Sequence, residues 1–193
     1  MRKLVVSEFV SIDGVMEDPG GSEGTPIAAW SFKFDRGDDG NKFKFDETME
    51  SDALLLGRLT YEGFAEAWPE RKDDAGFADK FNSMPKYVVS TTLKDPEWNN
   101  SHVIDPANLV DEVNRLKQEG DGLLAVHGSN TLVQALAEND LVDEYRLMVH
   151  PVVLGWGKRL FQDARPSTTL KLASSQPVGP DGVIVLTYVP MRD

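Results

Sequence analysis

Leu123-Leu124-Ala125-Val126-His127-Gly128-Ser129-Asn130-Thr131 decides the fold. Four apolar residues in a row read as a short strand buried on both faces. A glycine and small polar residues follow. They open Thr131–Asn139, where Leu132, Val133 and Leu136 recur at helical spacing. Strand, tight turn and helix form the repeating unit of an α/β protein. The unit recurs upstream. Ala53–Gly57 is an apolar strand. Thr60 is the expected cap of a helix with Tyr61, Phe64, Ala65 and Trp68 inward, and Pro69 stops it.

The rest of the chain fits around these two units. Leu4–Val10 reads as the first strand. Ser11–Gly24, rich in Asp, Glu, Gly and Pro, is loop, and a loop of that length in a compact domain is often functional. Thr25–Asp39 stays irregular, and Asn41 is the expected cap of a helix running to Glu50. Residues 69–83 form a polar, partly helical excursion before a strand at Lys86–Ser90. A short strand at His102–Ile104 precedes a helix capped by Asp105 with Pro106 in its first turn. Leu109, Val110, Val113 and Leu116 form its stripe, and Gly120 ends it. Tyr145–Leu154 is a long strand with Pro151 marking a bulge or an edge. Lys171–Val178 and Val183–Val189 pair as a hairpin across Gly179–Gly182. The pattern predicts one α/β domain over residues 1–193. Its central sheet is mixed and mostly parallel, closed by a C-terminal antiparallel hairpin.

Composition narrows the partners. A net charge of -12 repels phosphate backbones and anionic lipid, so nucleic acid and membrane surfaces are excluded as expected partners. No stretch approaches the ~20 apolar residues of a spanning helix. Ser7 and Glu8 interrupt the first apolar run, which is therefore no signal peptide. The absence of cysteine excludes thiolate metal sites and cysteine nucleophiles and fits a reducing compartment, so a cytoplasmic protein is expected. His102, His127 and His150 lack ligand spacing, and no metal is expected. His150, inside an apolar strand, is expected in the core or at an interface. The aliphatic run Val149–Leu154 points to a homodimer.

Three strand ends offer groups that suit phosphates. Gly128, Ser129, Asn130 and Thr131 stand where free N–H groups and the positive end of a helix dipole converge. The bland alternative is an ordinary strand-to-helix turn. Gly57-Arg58-Leu59-Thr60 sets a guanidinium beside a positive helix end, which is unfavourable unless an anion sits between them. The alternative is an Arg58 that reaches a nearby carboxylate. Ser90, Thr91 and Thr92, with Lys94, suit a phosphomonoester, or form a simple Ser/Thr turn. A dinucleotide bearing a 2′-phosphate has the charge distribution of all three together. Asp13 is a candidate proton donor if a dry pocket raises its pKa. Its other reading is a turn-former before Gly14. Trp30, in an irregular segment, could pack in a core or line a substrate pocket.

The ordered set of motifs resembles the dihydrofolate reductase superfamily, and within it the bacterial branch related to the C-terminal reductase domain of riboflavin biosynthesis. The motifs are Ser11-Ile12-Asp13-Gly14, Gly57-Arg58-Leu59-Thr60-Tyr61-Glu62, Val89-Ser90-Thr91, His127-Gly128-Ser129, Leu141-Val142-Asp143-Glu144, His150-Pro151-Val152-Val153-Leu154-Gly155 and Gly157-Lys158-Arg159-Leu160-Phe161. The resemblance implies a three-layer fold and NADPH as cofactor. It implies that Gly57, Arg58 and Thr60 hold phosphate, that Ser90 and Thr91 meet the 2′-phosphate, and that Gly128, Ser129, Asn130 and Thr131 line the pyrophosphate. The loop Ser11–Asp18 would cover nicotinamide and substrate, with Ser11, Asp13 and Trp30 as substrate contacts. The implied activity is reduction of a small pterin- or pyrimidine-like heterocycle. The family's substrate-binding carboxylate precedes the Gly-Arg segment, and Asn41 stands at the matching spacing, with Asp38, Asp39, Asp46 and Glu47 nearby but none at that position. A non-catalytic nucleotide-binding protein that has lost its substrate site is therefore the alternative.

Overall fold

The computed structural model of the chain describes residues 1–162 and 167–192. Six parallel strands follow from the apolar runs: β1 (Lys3–Ser11), β2 (Ser51–Gly57), β3 (Lys86–Val89), β4 (Ser101–Ile104), β5 (Leu123–Val126) and β6 (Glu144–His150). The hairpin β7 (Leu170–Val178) and β8 (Val183–Pro190) adds antiparallel strands beyond β6. All eight form one sheet in the order β4-β3-β2-β5-β1-β6-β8-β7. β1 thus lies between β5 and β6, buried on both faces as its near-continuous apolar run requires.

Helices cover the two faces: α1 (Gly37–Glu50), α2 (Arg58–Ala67), α3 (Phe77–Ser83), α4 (Leu109–Gln118) and α5 (Asn130–Glu138). Strand alternation decides which side each residue serves. Ala53 and Leu55 of β2 join Leu4, Val6 and Val10 of β1 in a core with Val113 and Leu116 of α4 and Leu132, Val133 and Leu136 of α5. Leu54 and Leu56 point the other way, onto Tyr61 of α2 and Phe81 of α3. Each such side chain removed from water contributes about 1.5–3 kcal/mol, which is why the helices dock. The architecture is the expected three-layer α/β fold. No helix among the described residues is long and apolar enough to cross a membrane.

Several boundaries differ from the sequence reading. α1 starts at Gly37, not after Asn41, because Asp35 Oδ1 takes the Gly37 amide at 2.7 Å. Asn41 is exposed in the second turn, where its Oδ1 accepts from Arg36 Nε at 2.8 Å. α2 starts at Arg58 from Gly57, which places Thr60 in the first turn instead of at the cap. β6 stops at His150, so Val152–Leu154 leave the sheet. Pro151 has no N–H for the ladder, and the Val152 amide turns back to the His150 carbonyl at 2.8 Å. Val110 is 39% exposed and drops out of the α4 stripe. Asp105 caps as read, its Oδ1 taking the Ala107 amide at 2.9 Å, although one 3-10 turn intervenes before α4. His150 is buried among Phe9, Trp30 and Phe34, all edge-on to it.

Candidate functional site

The carboxyl ends of β3, β2, β5 and β1 lie side by side in that order. Ligands of open α/β sheets gather at this end of the strands. At β2 and β5 two turns press together. The Gly57 amide donates to the Gly128 carbonyl at 3.1 Å. A Cβ on Gly57 would lie 2.1 Å from Ser129 Oγ, and one on Gly128, whose φ is +95°, would lie 2.9 Å from Thr60 Oγ1. Only glycines let these turns meet. The Gly128–Ser129 peptide bond is cis. Gly57 and Ser129, the residues before α2 and α5, make no side-chain cap bond. The first-turn amides of both helices are therefore not satisfied by a cap and can take an anionic oxygen.

The predicted phosphate-site residues are thus brought to one edge, with qualifications. Arg58 Nη1 meets the Glu62 carboxylate at 2.8 and 2.9 Å, the alternative already open in the sequence. Asn130 is buried, and its side chain ties α5 to the loop after β6, donating to the Arg159 carbonyl at 2.6 Å and accepting from Gln162 Nε2 at 2.8 Å. Of Asn130 only the backbone faces the site edge as an unspent group. Thr131 is exposed. At the end of β3, Ser90 Oγ accepts the Thr92 and Leu93 amides at 3.1 and 3.0 Å, with Thr91 exposed beside it.

The loop after β1 corrects two expectations. Burial pushes the Asp13 pKa up, but the Ser11 hydroxyl and the Leu154 and Gly155 amides outweigh it and hold the carboxyl at about 2. Those bonds are 2.6, 3.1 and 2.8 Å long. Asp13 is therefore an ionised clamp between two loops, not an acid with a raised pKa. Ser11 serves the same turn, taking the Val15 amide on its Oγ at 2.9 Å. Trp30 is 1% exposed, and its indole N–H is spent on the Glu17 carbonyl at 2.8 Å. It supports the loop from beneath and presents no polar group to a pocket.

The sequence reading missed a polar cluster where α1 packs on β1 beside the end of β5. Ser7 of β1 donates its hydroxyl to Glu47 Oε2 of α1 at 2.8 Å, and Lys44 Nζ bridges Ser7 Oγ, at 2.8 Å, and the same carboxylate. Glu47 is 1% exposed. Burial raises its pKa, but Lys44, His127 and the Ser7 hydroxyl more than reverse this and leave it lowered. Glu47 Oε1 makes no hydrogen bond, although Arg146 Nη1 of β6 stands 3.8 Å away. His127, next to Gly128, sets Nδ1 3.1 Å from the Ser7 carbonyl. Burial, with Lys44, pushes its pKa down to about 4. A neutral ring facing a carbonyl keeps its proton on Nδ1, which leaves Nε2 as an acceptor. The available signal was two polar residues, Ser7 and Glu8, in a strand otherwise apolar. Glu47 was passed over because spacing pointed to Asn41.

Residues 2–184 match the family model of the RibD C-terminal domain. A protein of Bacillus subtilis (strain 168), YyaP, itself uncharacterized, is 28% identical over 190 residues, covering 97% of this chain and 94% of its own. The crystal structure of a putative riboflavin biosynthesis protein from Shewanella sp. PV-4 is similar with a TM-score of 0.77 and 21% identity, over 98% of this chain and 99% of that one. A dihydrofolate reductase from Enterococcus faecalis, complexed with NADP(H), is similar with a TM-score of 0.60 and 16% identity, over 98% and 97%. At these identities the likeness is one of fold.

Proposed function

We propose, from the premise that this chain belongs to the RibD C-terminal domain family, a family of reductase type, that it is an NADPH-dependent reductase of a small pterin- or pyrimidine-like heterocycle. One observation carries the reading. Three adjacent strand ends, on β3, β2 and β5, present a hydroxyl turn, a Gly-Arg-Leu-Thr helix start and a Gly-Ser-Asn-Thr helix start along one edge. That row matches a phosphomonoester beside a pyrophosphate.

The residues fit the group. Gly57 and Gly128 let the turns that carry two uncapped helix starts pack directly against each other, so both starts lie close enough to share one pyrophosphate. Arg58 supplies a cation in a strongly acidic chain, and it can exchange its exposed Glu62 partner for phosphate at little cost. Bound NADPH would supply a hydride. The chain itself would bind and orient the substrate. Glu47 holds a buried, ionised carboxylate whose Oε1 faces Arg146 but accepts no hydrogen bond, an acceptor suited to the N–H groups of a heterocycle. Lys44 and Ser7 hold that carboxylate in place. This helix-borne carboxylate favours a working reductase over the non-catalytic alternative, whose motive was the lack of one.

Fluorescence titration with NADPH and NADH tests the reading. NADPH is expected to bind about tenfold or more tighter than NADH, a difference of roughly 1.4 kcal/mol. No binding of either overturns it.

A further inference from the structure

Strand order dictates where the parts of a dinucleotide fall. A monoester at Ser90 (β3) and a pyrophosphate between Gly57 (β2) and Gly128 (β5) leave the nicotinamide end to reach the next strand, β1. β1 and β5 are paired from Lys3–Leu123 up to Val6–Val126. Beyond that rung β5 turns away, and the Gly128 carbonyl goes to Gly57 instead. The next residues of β1 are Ser7 and Glu8. Ser7 points to α1. Glu8 points the other way, on the same strand face as Leu4, Val6 and Val10.

Glu8 is hard to explain as a packing residue. It is 7% exposed, and its Oε1 has no hydrogen-bond partner. Its carboxyl lies close enough to the Gly128 amide for that N–H to lower its pKa slightly against burial. A buried carboxyl with an unmet oxygen costs free energy that a valine or leucine here would not. Burial foremost, opposed by Lys44, reinforced by Glu47 and opposed by the Gly128 amide, raises its pKa well above the usual range. That favours the neutral acid, which offers one O–H donor and one C=O acceptor. A primary carboxamide offers the complementary pair, one C=O and one N–H.

We infer that Glu8 is a contact for the nicotinamide carboxamide, placed where β1 and β5 part, beside the Gly128 turn of the phosphate edge. The inference rests on the NADPH reading above and adds a residue to it.

The test compares two ligands, NADPH and 2′-phospho-ADP-ribose, which is NADPH without its nicotinamide. The ratio of their dissociation constants isolates the head. In Glu8→Ala that ratio is expected to fall about tenfold, the worth of one buried neutral hydrogen-bonded pair, while 2′-phospho-ADP-ribose binds as before. Glu8→Gln, which keeps a donor and an acceptor, is expected to keep the ratio. An unchanged ratio in Glu8→Ala, or both constants weakened by one factor, overturns the assignment of Glu8 and leaves the cofactor reading standing. Failure of the unaltered protein to bind either ligand overturns the cofactor reading itself. Infrared difference spectra of the unaltered protein give an answer even if Glu8→Ala does not fold. The C=O stretch of a protonated carboxyl is expected to shift when NADPH is added and to be missing in Glu8→Gln. No such shift overturns the inference.

Discussion

His127 Nδ1 lies 3.1 Å from the carbonyl oxygen of Ser7, and this contact ties the turn before α5 to the strand at the centre of the sheet. The ring stays neutral because burial, and then Lys44, press its pKa down to about 4 from an ordinary 6.5. In the unfolded chain the same histidine takes up a proton below its ordinary pKa. Between those two values the unfolded state binds more protons, so stability must fall as pH falls. Urea unfolding at pH 7 and pH 5 should show a larger loss for the unaltered protein than for His127→Gln. Asp13 and Glu47, whose pKa values are lowered, also lose stability toward acid, so only the difference between the two proteins reports on His127. Equal losses would remove the neutral-ring assignment.

Asp13 makes a sharper case. As a clamp it accepts from Ser11, Leu154 and Gly155. Asp13→Asn keeps the shape and removes the charge, and should cost about 1–2 kcal/mol by chemical denaturation. The Leu154 and Gly155 amides should exchange faster with solvent. Because its carboxyl titrates near 2, below its ordinary 3.8, its contribution is complete above pH 4 and fades as pH falls through that interval. If instead turnover vanished while both amides stayed protected, Asp13 would be acting as an acid after all.

Much of this molecule could be read from local rules, and the exceptions share a cause. The strand–turn–helix junctions at Gly57 and Gly128 announce themselves because each needs an apolar run, a residue without a side chain and a helical stripe within a few residues. The start of α1 did not. Asp35 stands one residue before the N-cap, Arg36, and takes the first helical amide from there, while Asn41, a good cap by type, lies inside the helix. The Ser7–Lys44–Glu47–His127 cluster was invisible for another reason. Its members come from β1, α1 and the end of β5, and only the sheet order brings them together. The spacing from Gly57 that the family resemblance implies singled out Asn41, whereas burial singles out Glu47.

The contact of the two turns should be unforgiving. A Cβ on Gly57 meets Ser129 Oγ at 2.1 Å, Ser129 Cβ at 2.8 Å and the Ser129 nitrogen at 2.9 Å. Gly57→Ala is expected to destabilise the fold by about 1–3 kcal/mol, as overpacking does, and to weaken NADPH binding. Adding Ser129→Ala removes only the first clash, so rescue should be partial. Full recovery of stability and binding in the double variant would mean that the backbone around Ser129 yields more easily than this packing implies.

Glu47 separates substrate recognition from cofactor binding. Its carboxylate is buried, shared by Ser7 and Lys44, and faces Arg146 across 3.8 Å. Glu47→Gln keeps the volume and an oxygen for the Ser7 hydroxyl. It leaves Lys44, itself mostly buried, without its ion-pair partner. Breaking one side of a buried pair costs about 3–5 kcal/mol, and the retained amide oxygen should hold the loss to the lower end. NADPH affinity should stay within about twofold, since the phosphate groups are assigned to β2, β3 and β5 and a uniform change below 0.5 kcal/mol is small on the binding scale. Reduction of a heterocycle, in contrast, should fall steeply through a raised KM, because the N–H groups lose an ionised acceptor. Lys44→Met is the counter-test: it removes the foremost group that holds the buried carboxylate ionised, so the Glu47 pKa should rise and reduction should fall as in Glu47→Gln, with NADPH affinity again unchanged. If Glu47→Gln weakened NADPH as much as it weakened turnover, α1 would belong to the cofactor site and the division of labour along the cleft would be wrong.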